Sequence, residues 1–207
     1  MEMTIKRLRE LILEMAGLVE QSLMFSLDKE KDLPFHYEIE QRINQYHLLI
    51  DDSCFKFIAL KAPHAKDLRT VIAMMKINSD LERMGDQSLK IKRHSLELAG
   101  DNPQLKSMLT EVGLMVKNAI ESFVNSNTKM STDVISHDQI INNMNRDIIK
   151  NHIGRIKNNE IHFDYGYGVI KISKNLERIG DHAKNIAEDV IFLESGSDIR
   201  HSTDKIK

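Results

Sequence analysis

The chain has little of what marks a secreted, membrane-spanning or nucleic-acid-binding protein. Cys54 is its one cysteine, so no intrachain disulfide can form, and this favours a reducing compartment. Tryptophan is missing, aromatic residues make up only 5%, and the net charge is −2, so neither base stacking nor a basic field serves nucleic acid. The N-terminus lacks the apolar core of a signal peptide, and no run approaches the ~20 apolar residues of a membrane span. We therefore expect a cytoplasmic protein with no nucleic-acid partner and no membrane insertion.

Recognisable catalytic motifs are missing too. The sequence has no Gly-x-x-x-x-Gly-Lys-Ser/Thr phosphate loop and no spacing that indicates a Ser/His/Asp or Cys/His assembly. Gly85 and Gly180 stand three residues after Glu82 and Glu177, so the Glu-x-x-His pairs of ferritin-like di-iron proteins are not formed there. The nine histidines are scattered, and we expect most of them at the surface. Cys54 falls in an apolar helical stripe and is predicted to be a core thiol. We expect no enzymatic activity.

Strand signals are also missing, and each of the three prolines stands at a plausible helix boundary. The apolar residues instead recur at three- and four-residue steps, which indicates helices with one buried face. We predict an all-α protein of six helices. Their expected extents are 4–27, 34–60, 66–98, from 103 to a polar turn at 125–131, 132–157, and a last helix that ends near 194.

What the sequence does contain is a repeat. Residues 76–86 recur as residues 171–181, at an offset of 95 residues (177 − 82 = 95), with Lys, Ile, Leu, Glu, Arg, Gly and Asp in the same places. A repeat of this length predicts two copies of one structural unit. We expect two antiparallel three-helix bundles, at 1–100 and 101–196, followed by a tail at 197–207.

Each copy of the repeat carries two acids one helical turn apart. Glu82 and Asp86 lie on one face, as do Glu177 and Asp181, and like charges at this spacing cost a helix a few tenths of a kcal/mol. The glycine between them costs about 1 kcal/mol relative to alanine. One interpretation is a cation held by the carboxylates, with the glycine giving room for close approach. The other is a duplicated ancestor whose acids are solvated and whose glycine eases helix packing.

A polar row on helix 2 adds to this pattern. Helix 5 repeats the first part of the row at an offset of 98 residues, with Asp138 and Asn142 in place of the first two side chains. Alone, such a row is typical of a solvated face; beside the paired acids, it favours a metal site. Carboxylates suit Mg, Mn or Fe, and an imidazole shifts the preference toward Fe or Zn. The helix 2 row consists of Glu40, Asn44, His47 and Asp51.

Four segments resemble the PhoU family of phosphate-uptake and phosphate-starvation regulators. They are 81–86 (LERMGD), 176–181 (LERIGD), 62–69 (APHAKDLR) and 181–188 (DHAKNIAE), and the resemblance spans essentially the whole chain. It implies two three-helix bundles related by a pseudo-twofold axis, with acidic metal-binding motifs. It also implies a homodimer that links a phosphate ABC transporter to a phosphate-sensing histidine kinase and represses the starvation response when phosphate is abundant.

The resemblance also assigns metal ligands. His47 and Asn142 depart from the family, which commonly has acids at both positions, and we keep them as candidates. We expect the halves to differ, with weaker binding of a divalent or trivalent ion (Fe, Zn, Mn or Mg) in the second. The predicted ligands are His47, Asp51, Glu82 and Asp86 in the first half, and Asp138, Asn142, Glu177 and Asp181 in the second.

Two other classes of function are compatible with the sequence. The same scaffold could serve a metal-dependent enzyme or a metal store, which turnover of phosphate esters or redox cycling of bound iron would reveal. It could also be a plain helical scaffold, in which case alanine at the paired acids should leave the phenotype unchanged.

Overall fold

The structure, a computed structural model, describes residues 4–196 and contains six α-helices and no strand in that range. The all-α prediction is confirmed, whereas the predicted tail at 197–207 lies outside the described residues. The helices are α1 (Ile5–Met24), α2 (Leu33–Lys61), α3 (Ala65–Glu97), α4 (Pro103–Asn125), α5 (Thr128–Lys157) and α6 (Phe163–Ser195).

Two predicted boundaries are wrong. Helix α1 ends at Met24 and not near residue 27, because the backbone leaves the helix at Phe25. The turn before α5 is much shorter than the predicted 125–131. Ser126 adopts a left-handed conformation at the end of α4, and the side chain of Asn127 accepts a hydrogen bond from the backbone N–H of Met130, 3.1 Å away. This N-cap starts α5 four residues earlier than predicted.

The helices that carry the repeat lie at the centre of the molecule. Helices α3 and α6 pack against each other and against the other two helices of their own half, and α1 also contacts α4. One continuous hydrophobic core therefore joins the halves. The apolar stripes of both helices are buried, as predicted: Met74, Ile77, Leu81, Met84 and Ile91 on α3, and Val169, Ile172, Leu176, Ile179, Ala183, Ile186 and Val190 on α6.

The two glycines of the repeat serve helix packing. A Cβ atom at Gly85 would lie 2.9 Å from Cδ1 of Ile43 on α2, and one at Gly180 would lie 3.3 Å from Cγ2 of Ile141 on α5. Ile43 and Ile141 are themselves 98 residues apart, so the same close helix crossing occurs in both halves. The packing interpretation of the glycines accounts for both positions.

Two of the histidines are exceptions to the expectation that most lie at the surface. His36 and His152 are fully buried. Each satisfies one ring nitrogen with a backbone carbonyl: Nε2 of His36 lies 3.1 Å from the oxygen of Phe25, and Nδ1 of His152 lies 2.9 Å from that of Ile148. Cys54 is buried as predicted, and burial raises the pKa of its thiol to about 12, so it is protonated at neutral pH.

Candidate metal-binding faces of the two halves

The first candidate site lies where α2 crosses α3. Asp51 is its best-connected acid: its Oδ1 accepts a hydrogen bond from Nδ2 of Asn78 at 2.9 Å, and its Oδ2 lies 3.7 Å from Nε2 of His47. Asn78 also donates to the backbone oxygen of His47 at 3.0 Å, so it fastens α3 to α2 at this point. Glu82 and Asp86 lie further along the α3 face and are half-buried. Oε2 of Glu82 lies 3.6 Å from Nε of the adjacent Arg83.

The second candidate site lies where α5 crosses α6. Asp138 is only 6% exposed, and its Oδ2 accepts hydrogen bonds from Nδ2 of Asn142 at 3.0 Å and from Nζ of Lys184 at 3.2 Å. Its Oδ1 is buried and has no hydrogen-bond partner among the described residues. A buried carboxylate oxygen that receives no hydrogen bond is unfavourable. This atom can therefore accept a hydrogen bond from a further donor or bind a cation.

Three carboxylates in the second half influence one another. Partial burial, then Asp181 and Asp138, raise the pKa of Glu177. Asp181 is on the solvent side of α6, but neighbouring protein atoms desolvate its carboxylate, and this together with Asp138 raises its pKa. Arg178 and Lys184 act in the opposite direction, without cancelling these effects. Burial and the repulsion among these carboxylates therefore both disfavour their charged forms.

The side chains do not converge into a ready-made site. Among residues 4–196, no group of three or more His, Cys, Asp or Glu side chains is arranged to hold a metal ion. The paired acids share a face as predicted, but the nearest α2 and α5 acids already receive hydrogen bonds from Asn78, Asn142 and Lys184. The residue types fit a hard cation, yet binding one would require side-chain rotation. The assignment of the eight residues as metal ligands therefore remains a prediction.

Sequence reasoning missed the side chains that hold these acids in place. Lys184 has Leu89 at the matching position of the first half, 95 residues earlier, and this difference was visible in the repeat. Asn78 corresponds to Ser173, which donates to Oδ1 of Asn145 at 2.6 Å. Asn145 in turn occupies the position that matches His47. Both halves thus link their helices with a polar pair at one place, but only the first half includes an acid there.

Comparison with known proteins gives a consistent result over most of the chain. The family model of the PhoU domain matches residues 5–93 and again residues 105–190. The "phosphate-specific transport system accessory protein PhoU homolog" of Pseudomonas aeruginosa is 31% identical over 204 residues, covering 93% of this chain and 84% of that protein. The homologue from Burkholderia sp. is 34% identical, covering 92% and 86%.

Solved structures agree with the sequence comparison. The crystal structure of PhoU from Pseudomonas aeruginosa superposes with a TM-score of 0.87 at 29% identity, covering 93% of this chain and 97% of that chain. The phosphate transport system regulatory protein PhoU from Streptococcus pneumoniae gives 0.86 at 27% identity, covering 94% and 96%. None of the helices within residues 4–196 is both long and apolar enough to cross a membrane.

Proposed function

Because the chain belongs to the PhoU family, we propose that it is a cytoplasmic accessory regulator of phosphate uptake. The observation that carries this proposal is the family match in both halves, together with curated relatives described as accessory proteins of the phosphate-specific transport system. In the finer form of the proposal, the protein links a phosphate ABC transporter to a phosphate-sensing histidine kinase. It then represses the phosphate-starvation response while phosphate is abundant.

The protein works as a non-catalytic adaptor in this proposal, through the surfaces that its helices present. The Cys54 thiol supports this, because its raised pKa of about 12 makes it a poor nucleophile. Helix α2 also exposes large apolar side chains that could contact another protein or a second copy in a homodimer. Leu48, Phe55 and Leu60 are 69%, 61% and 80% exposed.

Metal ions would organise one face of each half in this proposal. The support in the second half is chemical: Asp138 raises the pKa values of Glu177 and Asp181 by repulsion, and Oδ1 of Asp138 has no donor among the described residues. The first half should bind more tightly, because Leu89 stands where the second half has Lys184. The Lys184 ammonium already neutralises Asp138 and would compete with a metal ion. Fe, Zn, Mn and Mg are the candidate ions.

The decisive test is alkaline phosphatase output in a strain that lacks the gene and grows in excess phosphate. High output that the wild-type gene returns to low would support the regulator. A variant with alanine at Glu82, Asp86, Glu177 and Asp181 should then fail to repress. A control variant with Asp133→Ala and Asp147→Ala, two exposed acids on α5, should repress normally. Low output in the deletion strain would contradict the proposal.

A metal-dependent enzyme or metal store is the second candidate. The observation that favours it is the set of raised carboxylate pKa values around Asp138, since perturbed carboxylates also mark catalytic sites. Metal-loaded protein would be assayed for hydrolysis of phosphate esters and for redox cycling of bound iron. Turnover in either assay that is lost in the Asp138→Asn variant would favour this candidate over the adaptor.

A further inference from the structure

The pseudo-twofold arrangement places two matching lysines at opposite ends of the α3–α6 contact. Lys76 lies over the ring of Phe192 at 5.4 Å, and Lys171, 95 residues later, lies over the ring of Tyr167 at 4.4 Å. Their charge environments differ. Nζ of Lys76 is 3.5 Å from Oδ1 of Asp189, which is 2% exposed. The position that matches Asp189 near Lys171 is His94, so this acid is missing at the second end.

A second acid is missing at the same end. Beside Lys76, Oδ1 of Asp80 lies 2.8 Å from Nδ1 of His182 and accepts a hydrogen bond from Nδ2 of Asn185 at 3.2 Å. The position that matches Asp80 is Asn175, which donates to the backbone oxygen of Lys171 at 2.9 Å. Lys171 forms no ion pair with any of residues 4–196. At these two matching positions, the end of the contact that holds Lys171 therefore lacks the carboxylates that the Lys76 end has.

A fixed arginine adds to the positive charge at this end. Arg93 is exposed and lies next to His94 on α3. Its Nη2 donates to the hydroxyl of Tyr37 at 2.8 Å, and its guanidinium lies 5.3 Å from the centre of that ring. Within the described residues, Arg93 has no carboxylate partner either. Tyr37 thus holds the guanidinium in one orientation with most of its donors free.

Exposed aromatic side chains complete this surface. Tyr167 stacks on Phe163 with ring centres 5.5 Å apart and an interplanar angle of 12°, although the two residues are 46% and 58% exposed. A stacked pair left open to solvent on one side provides an apolar contact for another side chain. His94 lies between the two groups, because the charges of both Lys171 and Arg93 act on its ring. We call the combined set the cationic–aromatic patch, and it consists of Tyr37, Arg93, His94, Phe163, Tyr167 and Lys171.

Glu97 on α3 lies beside the patch and pairs with neither of its two cations. Oε2 of Glu97 lies 3.8 Å from Nδ1 of His94, but its side chain is 74% exposed and contacts neither Lys171 nor Arg93. Burial and then the charge of Lys171 lower the pKa of His94, so His94 is neutral at pH 7. The charge of the patch at neutral pH comes from Lys171 and Arg93.

We propose that the cationic–aromatic patch docks a segment of a partner protein that carries carboxylates beside an aromatic or aliphatic side chain. The held guanidinium suits bidentate contact with a carboxylate, and the Phe163–Tyr167 stack suits the apolar side chain. An anionic membrane surface is a poorer match, because such surfaces are recognised by clusters of about four to eight basic residues and this patch has two. Arg93 lies two helical turns beyond Asp86 on α3, so the patch extends past the first candidate metal site, and the docking proposed here does not require a bound metal ion.

The test uses the full-length protein and an array of fluorescein-labelled ten-residue peptides. Each peptide has three glutamates and one phenylalanine in varied order, and a matched set has lysine in place of glutamate. We expect a subset of the acidic peptides to bind, more weakly as salt rises, while the lysine set does not. Lys171→Gln or Arg93→Gln should weaken binding about tenfold each, as expected for losing a hydrogen bond to a charged group.

Matched controls come from the other end of the contact. Lys76→Gln should leave peptide affinity unchanged, and Lys171→Arg should keep it within about twofold of wild type, since it retains the charge. Circular dichroism would verify that each variant is folded. The proposal is overturned if no acidic peptide binds better than its lysine counterpart, or if Lys76→Gln and Lys171→Gln weaken binding equally. It is also overturned if vesicles of anionic phospholipid, and not the peptides, bind in a way that depends on Lys171.

Discussion

The two halves of the molecule share their apolar positions and differ in their polar ones. Gly85 meets Ile43 in the first half just as Gly180 meets Ile141 in the second. By contrast, Leu89 corresponds to Lys184, and a similar exchange occurs at several other matching polar positions. A close-packed helix crossing tolerates little change in side-chain volume, so both halves have the same residues at these contacts. Polar side chains at the helix crossings are less constrained, and they give each half its own chemistry.

The largest expected difference between the halves is in metal content. In purified protein measured by elemental analysis, Glu82→Ala with Asp86→Ala should remove most of the bound metal. Glu177→Ala with Asp181→Ala should remove much less, because Lys184 already competes for Asp138. Lys184→Leu copies the residue of the first half and should increase metal binding in the second. Equal loss from both double variants, or no metal in the wild type, would contradict this asymmetry.

The matching lysines should differ in their contribution to stability. Lys76→Gln removes an ion-pair partner from Asp189, a nearly fully buried carboxylate, and should lower the free energy of unfolding by about 2 kcal/mol. Lys171→Gln removes a cation that has no carboxylate partner within residues 4–196, and it should change the free energy of unfolding by less than about 0.5 kcal/mol. Urea unfolding at pH 7 measures both. Equal effects of the two substitutions on the free energy of unfolding would mean that the Lys76–Asp189 ion pair does not stabilise the fold.

The repeat glycines offer a finer comparison. Alanine at either position gains about 1 kcal/mol of helix propensity, but overpacking of a core crossing costs about 1–3 kcal/mol. The tighter contact at Gly85, 2.9 Å against 3.3 Å, should make Gly85→Ala destabilising by about 1 kcal/mol net and Gly180→Ala nearly neutral. Thermal unfolding of the two variants would show the difference. A larger loss of stability in Gly180→Ala than in Gly85→Ala would mean that the Ile141 side chain moves aside less readily than that of Ile43.

Apolar periodicity predicted most of the fold, because a helix in a bundle must bury one face and the sequence records that face directly. Local capping was harder to foresee. The polar run at 125–131 looks like a loop, and only the hydrogen bond from Met130 to Asn127 shows that the helix begins inside it. Nothing in the sequence near His36 or His152 signals that their rings bind buried carbonyls.

The types of residue on the candidate metal-binding faces could be predicted from the sequence, but the hydrogen-bond partners of their side chains could not. Four-residue spacing places Glu82 with Asp86 on one face whatever the fold does elsewhere. The partners of Asp51 and Asp138 come from other helices, at Asn78 and Lys184, and such contacts depend on how the helices cross. A periodic pattern in one helix carries no information about that crossing.

The smallest expected effect is a pH dependence in the second half. Glu177 and Asp181 have raised pKa values in the folded protein, so the folded state binds their protons more tightly than the unfolded chain does. Their contribution to stability is therefore most favourable below their ordinary values of 4.5 and 3.8, and it is lost as pH rises through the raised folded values. Glu177→Gln with Asp181→Asn removes these charges. In metal-free protein this variant should exceed the wild type in unfolding free energy by about 0.5 kcal/mol at pH 7, a small value because both groups are partly solvated.

That advantage should shrink as pH is lowered toward 4, where the wild-type carboxyls take up protons and lose their mutual repulsion. Urea titrations at several pH values would follow the difference, with Asp147→Asn, an exposed acid on the same half, as the control that shows no trend. An advantage that grows toward low pH would mean that the folded state favours the ionised carboxylates. In that case Lys184 and Arg178 would outweigh the repulsion from Asp138, and the electrostatic support for a cation at this face would be lost.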